Sequence, residues 1–142
     1  MNGVLFSEQK IRRIKMAGKC ACKGDYLDKF IQPAILAMIH EKPAYGFYLL
    51  AEMESRDLVD KVDATGFYRT LRKLEEDGKL SSEWQIEEGE KPKKVYTITD
   101  SGRACLNNWK KTLHEYIGLL SRISDAVDQS LCKIEEKGEQ NL

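Results

Sequence analysis

The first half of the chain contains hydrophobic residues at helical spacing. Between Leu27 and Glu41 they recur at i, i+3 and i+4, as they do in a helix with one buried face. The apolar positions of this face are Leu27, Phe30, Ile31, Ala34, Ile35, Met38 and Ile39. Pro33 either opens this helix or kinks it, because proline lacks an amide hydrogen. The pattern therefore predicts a first core helix that ends at Glu41.

Two further helices are predicted before the pattern changes. Lys42-Pro43 interrupts the first helix, and residues 45–53 form a second, short one. A third helix begins after Asp63, whose carboxylate is positioned to cap the amide groups of Thr65 and Gly66. This helix is expected to run through Glu76, where Asp77-Gly78 supplies a left-handed stop.

Alternating apolar and polar residues predict a β-hairpin next. The alternation occurs around residues 84–86 and again over residues 95–98, and residues 88–92 have the composition of a hairpin loop. Thr99-Asp100-Ser101 then offers N-cap residues for a long last helix, from about Ser101 to Lys137. The predicted order is three helices, a two-stranded hairpin and a terminal helix.

This order predicts a mainly α fold with a small β-hairpin (α+β): a winged helix-turn-helix domain plus a long C-terminal helix. Four segments are expected. Residues 1–25 form an N-terminal extension that is partly helical at 7–16, and residues 26–99 form the winged helix-turn-helix domain. Residues 100–137 form the C-terminal helix, and residues 138–142 a flexible tail.

The third helix segregates apolar and cationic residues on opposite faces. Phe67, Leu71 and Leu74 lie within about 60° of one another and form its buried stripe. The opposite face and its flanks comprise Thr65, Tyr68, Arg69, Arg72 and Lys73. Such a face is typical of a helix that enters the DNA major groove, where arginine and lysine meet phosphates and guanine. The alternative is that these cations only solvate a surface helix.

The predicted hairpin adds lysines near its tip. Lys93 and Lys94 are expected to touch phosphates or the minor groove, as the wing of such a domain does. The alternative is that they protect an edge strand from aggregation, and the nearby glutamates weaken the electrostatic attraction to DNA. Together, the third helix and the hairpin favour binding to double-stranded DNA.

Composition and charge exclude some classes of protein. The 142 residues include 23 Lys+Arg and 23 Asp+Glu, so the net charge is zero and DNA binding depends on how the charges are distributed. Hydrophobic residues make up 42%, which supports a packed core. The longest apolar run, residues 34–39, is far too short to cross a membrane, and the N-terminus lacks the apolar stretch of a signal peptide. We therefore expect a cytoplasmic protein without membrane contact.

The cysteines leave one alternative function open. Cys20 and Cys22 form a Cys-x-Cys pair flanked by lysines, which lower thiol pKa values and favour reactivity. A closed metal site needs about four ligands, and the remaining cysteines and histidines do not have zinc-finger spacing. We therefore predict no metal and no cofactor, and keep a redox- or metal-sensing regulator that uses Cys20 and Cys22 as the alternative.

The terminal helix carries a heptad pattern. Its a and d positions are Leu106, Trp109, Leu113, Tyr116, Leu120, Ile123, Val127 and Ile134, and Ser130 interrupts the series. The pattern favours a homodimer, although a domain can also use such a stripe to pack its own helices. A two-fold dimer sets two recognition helices about 34 Å apart and predicts a palindromic operator.

Three blocks of sequence resemble the PadR family of bacterial transcriptional regulators. They are residues 41–50 (EKPAYGFYLL), 66–78 (GFYRTLRKLEEDG) and 93–102 (KKVYTITDSG). The resemblance covers roughly residues 27 to 135 and points to the short-tailed branch, which has a single C-terminal helix. Tyr45 stands where many members have histidine, and Phe47 where many have tyrosine.

The resemblance implies roles for particular residues. Tyr68 is expected to bond a DNA phosphate through its hydroxyl, and Arg69, Arg72 and Lys73 to act in the recognition helix. Some members bind flat hydrophobic or aromatic effectors near the dimer interface, so Trp109 is a candidate effector contact; the alternative is that it only anchors the interface. The family also suggests a repressor that a small molecule releases from DNA.

The sequence favours a regulator over an enzyme. Neither His40 nor His114 has a candidate nucleophile or acid near it in sequence, and glycine-rich phosphate loops are absent. A winged-helix module that binds an acidic protein instead of DNA stays as a further alternative.

Overall fold

The structure is a computed structural model that describes residues 30–58 and 63–140. Within these residues the chain forms four helices and three strands in the predicted order of helices, hairpin and terminal helix. They are α1 (Ile31–Glu41), β1 (Ala44–Tyr45), α2 (Gly46–Ser55), α3 (Ala64–Glu76), β2 (Leu80–Gln85), β3 (Lys93–Ile98) and α4 (Asp100–Gln140). The predicted helix at 7–16 and the pair Cys20 and Cys22 lie outside the described residues. The architecture confirms the predicted winged helix-turn-helix with a long C-terminal helix.

Both ends of α3 follow from the local sequence. Of the two amides that Asp63 was predicted to cap, its carboxylate accepts a hydrogen bond from that of Thr65, at 3.1 Å. At the other end Gly78 has φ of 75°, a conformation that glycine adopts without a Cβ clash. Helix α3 therefore begins and ends where the sequence places it.

The sheet has one strand more than the sequence predicted. Its strand order is β1-β3-β2, with both pairs antiparallel. Tyr45, predicted to lie in the second helix, pairs with Val95 of the central strand instead. The hairpin also begins earlier than expected, at Leu80, and Ile86 lies past the end of β2. A two-residue strand has no alternation to detect, so its pairing with a distant strand was not visible in the sequence.

The core lies between α1, α3 and the inner face of the hairpin. Phe67, Leu71 and Leu74 of α3 are fully buried, as the helical pattern predicted. They pack with apolar side chains from the other elements, and the buried cluster also includes Ile35, Leu36, Ile39, Leu49, Met53, Leu80, Tyr96 and Ile98. Pro33 lies in the first turn of α1, where its missing amide hydrogen leaves no helical bond unmade.

The terminal helix is anchored to the turn that ends α3. The Thr99 hydroxyl donates to the Gly78 carbonyl at 2.6 Å and accepts from the Gly102 amide at 3.0 Å. Gly102 is buried against Lys79, and an added Cβ would overlap the Lys79 carbonyl oxygen. Helix α4 runs to Gln140, so residues 138–140 are helical rather than part of the predicted tail. The 41-residue helix thus starts from a fixed point beside the hairpin.

Candidate nucleic-acid interface

Helix α3 presents its predicted polar face to solvent. Thr65, Tyr68, Arg69, Arg72 and Lys73 are all exposed, while the apolar stripe on the other side is buried. No salt bridge joins Arg69, Arg72 or Lys73 to any residue that the structure describes. These three side chains therefore keep their full charge available for an anionic partner.

Tyr68 is held in place by its neighbours. Its ring packs edge-on against Phe67, with the ring centroids 5.4 Å apart. A Cβ added to Gly46 would come within 2.7 Å of Tyr68 Cε1, so this glycine lets the tyrosine ring lie against the start of α2. The ring nonetheless stays 41% exposed. This arrangement fixes the direction of the side chain that the resemblance assigns to a phosphate.

Lys94, one of the two predicted wing contacts, is already paired with a carboxylate. Lys94 Nζ lies 3.0 Å from Glu75 Oε2, and Glu75 also accepts a 2.5 Å hydrogen bond from Ser82. The bond from Ser82 and then the bond from Lys94 lower the pKa of Glu75, and the bond to Glu75 raises the pKa of Lys94. Glu75 thus ties the end of α3 to both strands of the wing.

Lys93 has a looser environment. Its ammonium group lies 5.0 Å from the centre of the Tyr45 ring and 3.9 Å from a Glu90 carboxylate oxygen in the hairpin loop. Both contacts are at the surface, where a lysine exchanges partners at small energetic expense. Of the two predicted wing contacts, Lys93 is the more available to a phosphate.

A groove separates α3 from the wing. Its volume is about 510 Å³, and its lining residues come from β1, from the start of α2, from α3 and from the hairpin. They are Tyr45, Gly46, Phe47, Tyr68, Trp84, Pro92, Lys93, Lys94 and Tyr96. Among the described residues, no carboxylate side chain lines this groove. Phe47 and Trp84 were not predicted as site residues, because an exposed aromatic residue gives no periodic signal.

The predicted dimer stripe on α4 divides into two parts. Leu106, Trp109 and Leu113 are half-buried, and the first two pack against the domain core. From Tyr116 onward the stripe is exposed, with Leu120 at 58% and Val127 at 50%. Packing within one chain therefore accounts for the stripe as far as Tyr116, whose ring contacts Phe30 edge-on with the ring centroids 6.2 Å apart. Leu120, Ile123, Val127 and Ile134 stay 50–64% exposed.

Leu131 extends this stripe and is not among the a and d positions predicted from the sequence. At 100° per residue it lies on the same side as Val127 and Ile134, four residues after the first and three before the second. It is 56% exposed. The apolar series therefore continues past Ser130 without a gap. From Leu120 to Leu131 its spacings are three, four and four residues, and such a departure from the heptad locally unwinds a coiled coil.

A second groove, of about 630 Å³, lies between α1 and α4 beside Trp109. Its lining is mostly apolar and includes Phe30, Ala34, Ala37, Leu58, Leu113 and Ile117. Lys110, His114 and Asn107 add polar atoms at its α4 side. The Phe30 ring contacts Trp109 edge-on, with centroids 6.4 Å apart. The candidate effector residue therefore borders an apolar groove.

Other chemistry is sparse over residues 30–58 and 63–140. Within them no group of three or more histidine, cysteine or acidic side chains is arranged to hold a metal ion. Cys105 is half-buried and Cys132 exposed, both as free thiols. No helix of the described chain is long and apolar enough to cross a membrane.

Comparisons with known proteins agree on one family. The model of the transcriptional regulator PadR-like family matches residues 35–108, just over half of the chain. Significant matches are absent among curated proteins.

Solved structures share the same fold. A PadR-like transcription factor from Bacteroides fragilis is 23% identical with a TM-score of 0.60, over 73% of this chain and 99% of its own. A PadR family regulator from Eggerthella lenta is 22% identical with a TM-score of 0.61, over 84% and 96%. PadR of Bacillus subtilis, solved in complex with operator DNA, is 25% identical with a TM-score of 0.50, over 55% and 45%. With its winged-helix fold and its family match, this chain belongs to the PadR-like family of transcriptional regulators.

Proposed function

We propose that this DNA-binding regulator is a homodimeric repressor that binds a palindromic operator. The observation that carries the proposal is the exposed cationic face of α3, whose Arg69, Arg72 and Lys73 have no ion-pair partner among the described residues. In this proposal Arg69 and Arg72 reach base edges, since arginine forms paired hydrogen bonds with guanine. Thr65, Tyr68 and Lys73 bond phosphates, and Lys93 with Lys94 supports the wing contact.

The exposed stripe of α4 supports the homodimer. A row of large apolar side chains on one face of a long helix is unfavourable in water and is covered when two such helices pair. Pairing through residues 100–137 keeps two copies of the domain at residues 26–99 related by a two-fold axis. A dimer of this symmetry reads two inverted half-sites, which is why the proposed operator is palindromic.

The groove beside Trp109 supports release by a small apolar or aromatic effector. It opens between α1 and α4, so an occupant touches both the domain and the proposed dimer helix. Thr99 and Gly102 join the start of α4 to the turn after α3, which couples the direction of α4 to the wing and the recognition helix. An effector that prefers a different angle between these elements lowers operator affinity by its differential affinity for the two states.

Selection of binding sites from a random library of duplex DNA tests the operator directly. The protein is expected to enrich a palindromic motif, and to bind it much more tightly than a scrambled duplex of equal length. Loss of both recognition-helix arginines in an Arg69→Ala/Arg72→Ala variant is expected to weaken motif binding about a hundredfold or more, because each arginine–base contact contributes about 1–3 kcal/mol.

A matched control separates base contacts from overall charge. Lys111→Ala/Arg122→Ala removes two exposed cations from α4, away from the recognition helix. This variant is expected to bind the selected motif nearly as the wild type does. An equal loss of motif affinity in both double variants would mean that Arg69 and Arg72 contribute only through their charge. Failure to enrich any motif would favour the alternative of a module that binds an acidic protein.

A further inference from the structure

We propose that one strand of the DNA backbone lies in the groove between α3 and the wing, with the Trp84 and Phe47 rings packed against its deoxyribose groups. This inference rests on the proposed operator binding and adds two contact residues to it. It concerns affinity rather than sequence preference, because sugars and phosphates are the same at every base pair.

Exposure is the first observation behind this proposal. Trp84 is 63% exposed and Phe47 is 71% exposed, although both line the same groove. Exposing a large aromatic ring to water is unfavourable, and free energy is gained when a partner covers the ring. The groove is thus shaped and lined for an occupant that offers some apolar surface.

The charge of the groove indicates the kind of occupant. Lys93 and Lys94 line it, and none of its described lining residues is a carboxylate. Lys94 is paired with Glu75 and Lys93 lies near Glu90, but both pairs are partly exposed, so a phosphate can compete with the carboxylates for the lysines. Helix α2 begins there without a side-chain cap, so the partial positive charge of its first turn adds to that of the lysines. An occupant with alternating anionic and apolar groups fits these walls, and a nucleic-acid backbone alternates phosphate with deoxyribose.

The wing geometry brings the two kinds of contact together. Trp84 stands directly opposite Lys94 in the antiparallel pair, so their side chains are on the same face of the hairpin. Tyr68 reaches the groove from α3 and carries the hydroxyl expected to bond a phosphate. A strand that meets Tyr68 and Lys94 at its phosphates therefore passes over the indole of Trp84, whereas Lys93, the residue before Lys94, projects from the other face of the hairpin.

Binding measurements on single variants test this proposal. Trp84→Ala and Phe47→Ala are each expected to weaken binding about tenfold, both to a motif selected from the random library and to a scrambled duplex. The slope of log affinity against log salt is expected to stay as in the wild type, since neither ring carries charge. Lys93→Ala is expected to reduce that slope by about 1.

Ile86→Ala is the matched control. Ile86 is 76% exposed on the same wing but does not line the groove. Its variant is expected to bind as the wild type does. If Trp84→Ala and Phe47→Ala also bind normally while Arg69→Ala/Arg72→Ala does not, the inference is wrong and the proposed function stands. If the wild type prefers no sequence, the proposed function fails first.

Fluorescence gives an independent reading. The chain has 2 tryptophans, so a Trp109→Phe variant leaves Trp84 as the single reporter. Saturating duplex DNA is expected to shift its emission and to shield it from acrylamide at least threefold. Unchanged quenching with bound DNA would overturn the proposal. A small aromatic dye that shields Trp84 while DNA does not would identify the groove as a ligand site instead.

Discussion

The core of the winged-helix domain and the outer part of α4 differ in how far their apolar side chains are exposed to solvent. Within the domain the core side chains are 0–8% exposed, and Phe67, Leu71 and Leu74 are closed off from solvent. Along α4 the large apolar side chains from Tyr116 to Ile134 are 44–66% exposed. The domain buries the apolar faces of its helices within itself, whereas no described residue covers the outer part of the α4 stripe, for which we propose a second copy of the chain as the partner.

This difference follows from where each element lies. The first turns of α4 pack on α1 and the core through Leu106 and Trp109. From Leu119 to Glu139 every residue of the helix is exposed, because the helix has passed the domain to which it is anchored. The same heptad pattern therefore serves the fold at one end and is available to a second chain at the other.

The largest effect is expected from the domain core. Phe67→Ala should lower the free energy of unfolding by about 3–5 kcal/mol, since it removes a fully buried ring and leaves a cavity. Urea denaturation followed by circular dichroism measures this loss. Val127→Ala, at a position that is 50% exposed, should leave the unfolding of dilute protein unchanged. Similar losses for both would mean that α4 and the domain unfold as one unit.

The next effect should appear in assembly. Leu120→Glu/Ile123→Glu places carboxylates on the exposed stripe, and buried unpaired charge opposes association. We expect at least a hundredfold weaker dimer by analytical ultracentrifugation, with the fold of the domain retained. The control is Lys111→Glu/Arg122→Glu, which adds two carboxylates on the side of α4 opposite the stripe. A monomeric wild type would show that the stripe has a different partner.

A smaller effect distinguishes two adjacent positions on α4. Leu131→Ala should weaken the dimer about tenfold, because a large apolar side chain of the stripe is truncated. Ser130→Ala should change the dissociation constant little. A weaker dimer for Ser130→Ala, with an unchanged one for Leu131→Ala, would show that the interface follows strict heptads through Ser130.

The smallest effect should come from the link between α3 and the wing. The pKa of Glu75 is lowered in the folded protein, so its stabilising contribution is present above the ordinary value of 4.5 and is lost as pH falls below it. The raised pKa of Lys94 adds a contribution that is lost in strong alkali. Glu75→Gln should cost less than about 1 kcal/mol at pH 7, because the pair is partly exposed.

Thermal unfolding between pH 3 and pH 7 measures the difference for Glu75. The melting temperature of Glu75→Gln should fall less on acidification than that of the wild type. Glu76→Gln is the control, since this exposed neighbour has no ion pair with a described residue. Parallel pH profiles for the wild type and both variants would contradict a stabilising role for Glu75.

Local signals allowed much of the fold to be predicted. The cap at Asp63, the glycine at 78 and the apolar spacing of residues 67, 71 and 74 each act within a turn or two of helix. The same spacing predicted the exposed cationic face of α3. The strand at Ala44–Tyr45 was missed because its partner lies about fifty residues away, and pairing over that distance leaves no local pattern.

The candidate site was only partly predictable for a related reason. Lysines in a hairpin suggest a wing, but sequence does not reveal that Lys94 is bound to Glu75 of another element. Trp84 and Phe47 are far apart in the chain, and the packing of α2, α3 and the hairpin brings them to one groove. Aromatic residues at isolated positions carry no periodicity that marks them as exposed.

The sequence by itself determined the order of the helices and the hairpin, the polarity of α3 and the stripe along α4, because each depends on spacing within one helix or turn. Tertiary structure decided which charges are paired, which aromatic rings line a groove and where the stripe leaves the domain. Those outcomes depend on contacts between elements distant in sequence. Such contacts form when the elements bury their apolar faces together, and the residues of any one element do not specify them.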